Sequence, residues 1–181
     1  MVMIHGRHGT EDVAWVFARS MPEDWLLIAP RAIEWEPETE EDDAGYSWLL
    51  QDDRIPAQSG LWPTFDDFGD ATIALEYFIK ALPDIYQADP EQIYLLGFSQ
   101  GAAAAFALAA EHPNLVKGIA SLVGFVPQVG ENENHESVLN GLPVFMAAGL
   151  TDERVPVAIA QESAERLRQM GADLTYHEYK T

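Results

Sequence analysis

Short apolar runs alternate with amphipathic stretches along the chain, and their order predicts its elements. Met1–Ile4 is apolar throughout and predicts a strand that leads into the loop His5-Gly6-Arg7-His8-Gly9. Thr10, Glu11 and Asp12 offer a helix N-cap and an acidic first turn, with Val13, Val16, Phe17 and Met21 following at helical spacing. Trp25–Ala29 predicts a second strand closed by Pro30, and the acid-rich stretch Glu34–Asp43 predicts a surface loop. Gly45-Tyr46-Ser47-Trp48 follows it, and Pro56 and Pro63 keep the region up to about Trp62 irregular. Asp66–Leu82 predicts a long amphipathic helix, with Ile73, Tyr77 and Ile79 among its inward positions. Beyond Pro83 and Pro90 come a strand over Gln92–Leu96, a helix over Ser99–Glu111, and strands over Val116–Val123 and Pro143–Ala147. A helix over Val155–Met170, stopped by Gly171, and a strand over Asp173–Tyr179 complete the pattern. Such alternation implies a mostly parallel sheet with helices on both faces. No repeat, linker or internal boundary interrupts it, so residues 1–181 read as a single α/β domain.

Within that pattern, Gly97-Phe98-Ser99-Gln100-Gly101 reads G-x-S-x-G between an apolar strand and the alanine-rich segment Ala102–Ala110. A strand turning sharply into a helix through a serine presents that hydroxyl at the strand's carboxyl end, as a nucleophile requires. The flanking glycines leave room where helix and neighbouring strand approach. The N–H of Gln100 then lies at a helix N-terminus, where it can stabilise developing negative charge. The plainer alternative is a serine that N-caps a buried helix.

Composition narrows the classes. Thirty acids against ten bases give a formal charge of −20, which argues against nucleic-acid or anionic-membrane binding. Two readings of this acidity stay open: a simple soluble surface, or adaptation to a saline habitat in which counterions screen the repulsion. The absence of cysteine removes disulfides, thiolate metal sites and thiol nucleophiles together. The apolar fraction of 48% fits a globular protein. No apolar run approaches a membrane span, the amino terminus lacks a secretory pattern, and the expected location is cytoplasmic.

In Gly97-Phe98-Ser99-Gln100-Gly101-Ala102, His5-Gly6-Arg7, Gly45-Tyr46-Ser47-Trp48, and Gly149-Leu150-Thr151-Asp152 with Val155-Pro156, the chain resembles the phospholipase/carboxylesterase family. These are small α/β-hydrolases, single-domain serine esterases without a large cap domain, and the matching segments occur in the family's order. The resemblance implies an α/β-hydrolase fold with Ser99 as nucleophile and the backbone N–H groups of Arg7 and Gln100 as the oxyanion hole. It implies Asp152 as the acid that orients a catalytic histidine, against the simpler alternative of a carboxylate capping the following helix. It places that histidine after the last strand. The chain therefore reads as truncated at its carboxyl end, with the base and a final helix expected beyond Thr181. His177 is then a partly exposed strand residue; the sharper alternative is that it serves Ser99 from a distorted strand end.

The expected activity is hydrolysis of small-molecule esters with short to medium acyl chains through an acyl-serine, with no metal or organic cofactor. A thioesterase or peptidase of the same fold, or a non-catalytic binding scaffold, are the other readings. Trp48, Leu50, Leu61 and Trp62 read either as acyl-pocket walls or as cover for the sheet edge. Glu131, Glu133, His135 and Glu136 form a polar cluster that could hold a cation, with a solvated loop as the alternative. Oligomeric state is not legible from the pattern.

Overall fold

The computed structural model describes residues 1–40, 42–50, 62–130 and 135–180. Its centre is a five-stranded sheet in the order β1-β4-β5-β6-β7 with every pairing parallel. The strands are β1 (Val2–Ile4), β4 (Leu95–Phe98), β5 (Ile119–Leu122), β6 (Pro143–Gly149) and β7 (Asp173–Tyr179). A separate antiparallel hairpin is formed by β2 (Glu34–Glu36) and β3 (Gly45–Ser47). The helices are α1 (Gly69–Tyr86), α2 (Gln100–Glu111) and α3 (Val157–Gln169).

Residues Leu95, Ile119, Val144 and Met146 turn one face of the sheet toward α2 and α3 and form the main core with them. Every residue of α2 from Gln100 to Ala110 is buried, because the sheet lies on one side of the helix and α1 packs on it from another. The run of alanines is what permits this double contact: methyl-sized side chains let both neighbours approach the helix axis. The opposite face is covered over β1 and β4 by a 3-10 helix, Val13–Ser20, whose Ala14 joins Met3 and Leu96 in a smaller core. Over β6 and β7 that face presents Phe145, His177 and Tyr179 to solvent.

Several local expectations change. The segment after the first loop is 3-10 rather than α, with Asp12 rather than Thr10 at its cap position. Three residues per turn put Ala14 and Phe17 on one face and Val13 and Val16 on the other, so Val13 and Val16 are exposed instead of inward. Trp25–Ala29 contributes one parallel bridge, Ile28 to Val2, not a strand. Glu34–Asp43 is not wholly loop, since Glu34-Trp35-Glu36 pairs with Gly45–Ser47. Helix α1 continues through Pro83 to Tyr86 and buries Ala71, Thr72, Leu75, Ile79 and Leu82; Ile73 and Tyr77 point outward. Residues Pro90–Gln92 form a 3-10 turn, and the following strand starts only at Leu95. Strand β5 is shorter than the apolar run that predicts it, and β6 is longer, reaching Gly149. Helix α3 starts at Val157 rather than Val155.

Candidate active site

Strand β4 ends at Phe98 and α2 begins at Gln100, so the whole reversal is made by Ser99. Its backbone sits at φ 51° and ψ −120°, a left-handed conformation that costs a non-glycine residue on the order of 1–3 kcal/mol. Two bonds hold it there: Ser99 N–H donates to the Leu122 carbonyl, and Ala102 N–H donates to the Ser99 carbonyl, each at 3.0 Å. The glycines serve close approach. A Cβ at Gly97 would lie 2.4 Å from Ala102 Cα, and one at Gly101 would lie 2.3 Å from the carbonyl oxygens of Ile4 and His5. As the first residue of α2, Gln100 carries one of the N–H groups that a helix leaves unpaired at its start.

The His5–Gly9 loop leaves β1, the neighbour of β4 in the sheet, and passes beside the serine. A Cβ built on Gly6 would be 3.3 Å from Ser99 Cβ, so the loop carrying the Arg7 N–H borders Ser99. His5 is a buried anchor. Its Nδ1 donates to the Gly6 carbonyl at 2.8 Å, and its Nε2 accepts from Ala32 N–H at 3.0 Å, which defines the neutral Nδ1–H tautomer. Burial lowers its pKa, against a smaller upward push from the Gly6 bond and Glu11. The buried side chain of Gln100 ties the elbow to the segment after β3: Oε1 accepts from Trp48 N–H at 2.8 Å, and Nε2 donates to the Leu49 carbonyl at 3.0 Å.

Asp152 follows β6 at the same carboxyl edge of the sheet, where open α/β sheets place their sites. Strands β4 and β6 are separated by β5, a span of about 10 Å. Its Oδ1 accepts from Arg154 N–H at 2.9 Å and from Val155 N–H at 2.7 Å. The carboxylate thus caps its own turn, while Pro156 precedes α3.

Among the described residues, no histidine contacts Ser99 or Asp152. His177 stays in β7, in register with Ala147, its ring between Phe145 and Tyr179 at centroid distances of 5.8 and 6.2 Å. His135 stacks on Phe65 at 4.2 Å, and His112 lies 3.6 Å from a Glu76 oxygen.

The aromatic expectations divide. Trp48 is a core residue rather than a pocket wall, since its indole is buried and donates to the His5 carbonyl at 2.8 Å. Trp62 packs edge-on against Phe125, Leu50 is exposed, and Leu61 lies outside the described residues. Of the polar cluster, Glu131 and Glu133 also lie outside them, and the described residues contain no group of three metal-ligating side chains. A cavity of about 490 Å³ lined by Trp25, Ile28, Leu82 and Tyr94 opens at the amino-terminal end of β1 and β4, away from Ser99. No helix among the described residues is long and apolar enough to cross a membrane.

Sequence reasoning missed one group: Glu36, Ser47 and the side chains of Arg7 and His8, which meet behind the loop. Period-2 alternation in Glu34-Trp35-Glu36 was the available signal for the strand, and nothing local marked Glu36 as buried.

Comparison with known proteins agrees with this architecture. Acyl-protein thioesterase 1 of Saccharomyces cerevisiae is 35% identical over 92 residues, covering 50% of this chain and 40% of the yeast protein. The chain spans less than half the length of the curated relatives it matches. A phospholipase/carboxylesterase structure from Dyadobacter fermentans superposes at a TM-score of 0.65 with 27% identity, over 99% of this chain and 79% of that one. A carboxylesterase structure from Mesorhizobium loti reaches a TM-score of 0.80 at 20% identity, over 99% and 78%. This chain has the α/β-hydrolase fold of these carboxylesterases. The family model described as Phospholipase/Carboxylesterase matches residues 1–181, and the chain belongs to that family.

Proposed function

We propose that this chain hydrolyses small-molecule carboxylic esters of short to medium acyl length through an acyl-serine at Ser99. The observation that carries the reading is the Ser99 elbow, where φ 51° is maintained beside the His5–Gly9 loop. A strained non-glycine residue at this point is costly, and a mere helix cap has no need of it. Ser99 Oγ attacks the ester carbonyl and its proton passes to a general base, the role the family pattern gives to a histidine that follows the last strand and is oriented by Asp152; none of the described histidines stands in that place. The N–H groups of Arg7 and Gln100 receive the oxyanion of the tetrahedral intermediate; losing one such donor costs on the order of 3 kcal/mol. The alcohol leaves, and water attacks the acyl-serine to regenerate the hydroxyl. Between β1 and α1 the described elements are only 3-10 turns and a two-stranded hairpin, which supports compact acyl groups as substrates. The charge of −20 disfavours anionic ones.

A thioester substrate is the second reading, favoured by the likeness to acyl-protein thioesterase 1 over half of this chain. Hydrolysis of p-nitrophenyl butyrate and its thioester counterpart, with Ser99→Ala as control, tests both. Turnover that Ser99→Ala abolishes supports the proposal, and the better substrate chooses between ester and thioester. Equal background rates from folded wild type and variant overturn it for this chain.

A further inference from the structure

Behind the His5–Gly9 loop, Glu36 is 7% exposed, the one buried acid among the described residues. Arg7 Nε donates to its Oε1 at 3.1 Å and Arg7 Nη2 to its Oε2 at 2.7 Å, a planar fork onto both oxygens. His8 Nε2 lies 3.2 Å from the same Oε2. His8 Nδ1 is 3.0 Å from the Asp43 carbonyl.

The backbone follows the side chains. His8 N–H donates to Ser47 Oγ at 3.1 Å, Tyr46 N–H donates to the Gly9 carbonyl at 2.8 Å, and His8 is held at φ 54°. Burying a carboxylate is expensive unless it is paired and hydrogen-bonded. Burial pushes the Glu36 carboxyl up, and the bonds from Arg7 and Ser47 with the charges of Arg7 and His8 outweigh it, leaving it below the ordinary carboxylate range.

Two of the residues that Glu36 holds are consecutive, and the first of them carries the N–H assigned to the oxyanion. We propose that Glu36 is the positioning residue of this loop, fixing the direction of the Arg7 N–H through the Arg7 and His8 side chains. The catalytic part of the inference rests on the serine-hydrolase reading above. Because an oxyanion exists only after attack, a misdirected donor lowers kcat and leaves substrate binding alone. A displacement of about 1 Å costs on the order of a hundredfold.

Glu36→Gln keeps the shape of the side chain, drops its charge and turns an amide donor toward Arg7. With p-nitrophenyl butyrate its kcat is expected to fall on the order of 10–100-fold with KM within about twofold. Amide exchange should quicken at Arg7, His8 and Gly9 and stay unchanged in the interior of α2. Arg7→Lys retains the backbone N–H and loses the fork, so it should reproduce the effect, and the double variant should be no worse than either single one. If Glu36→Gln fails to fold, Arg7→Lys decides by the same readouts. A purely structural tie would lower the melting temperature and leave kcat of the folded fraction at the wild-type value, which overturns the proposal. If Ser99→Ala matches wild type, the esterase reading fails, and the exchange arm then decides alone: unchanged rates at residues 7–9 overturn the positioning role, and a rise confined to them upholds it.

Discussion

Gly45→Ala tests whether the hairpin and the His5–Gly9 loop form one unit. A Cβ on Gly45 would lie 2.0 Å from the His8 carbonyl oxygen, 2.3 Å from its carbon and 2.8 Å from its Cα. All three are backbone atoms, so no side-chain rotation relieves the clash. Ordinary contact begins at 3.4 Å, so β3 and the loop must separate by about 1.4 Å, the difference between 3.4 and 2.0 Å. Moving β3 away strains the bridge between Gly9 and Tyr46, and moving the loop displaces the Arg7 N–H. Overpacking of this kind costs about 1–3 kcal/mol, which for a domain of this size lowers the melting temperature by about 2–12 °C. The same displacement should reduce kcat for p-nitrophenyl butyrate on the order of a hundredfold. Gly69→Ala is the matched control. Its added Cβ meets nothing within 4 Å and its φ of −54° is helical, so it should be neutral or stabilising by up to about 1 kcal/mol. Thermal unfolding and initial rates of the two purified variants suffice. Wild-type melting and wild-type kcat in Gly45→Ala would refute the argument that these backbones are in fixed contact.

Two further outcomes follow from buried polar groups. Gln100→Leu fills similar volume but strips the partners from Trp48 N–H and the Leu49 carbonyl; at roughly 1–3 kcal/mol for each stranded group the expected loss is about 2–6 kcal/mol, and a urea midpoint close to wild type would contradict it. His5 has a depressed folded-state pKa, so the unfolded chain binds its proton first: wild-type stability is full above about pH 6.5 and declines as pH falls toward the folded value. His5→Gln should be flatter across that window, and a wild-type slope in the variant would assign the proton elsewhere.

The parallel sheet was legible because a buried strand must be continuously apolar, and Leu95, Ile119 and Val144 lie in such runs. The elbow was legible because its glycines and serine are adjacent in sequence. Helix faces were less so. In α1 both Ile73–Tyr77 and Leu75–Ile79–Leu82 are apolar sets at helical spacing, and the sequence does not rank them. Packing on α2 ranks them, since Ala71 and Thr72 on the second face admit a close helix contact. Glu36 was hidden for a different reason. An acid in an acidic stretch reads as solvated, and only the fold brings Arg7, 29 positions away, to its carboxylate. The spacing of Val13 and Val16 misled because it suits an α-helix, and the chain there winds with three residues per turn.

Helix α2 gives the fold an unusual asymmetry toward mutation. In most cores the damaging change removes volume, and neighbours partly collapse into the gap. Here the side chains from Ala102 to Ala105 have a single methyl to lose and neighbours on all sides. Harm therefore comes from growth: a valine or leucine wedges the helix away from the sheet or from α1. Ser99 and Gln100 stand at the start of that helix, so a wedge turns into a shift of Ser99, the proposed nucleophile. Random substitution along this segment should fail more often by gain of bulk than by its loss, and variants that keep the fold yet lose the chemistry should concentrate there.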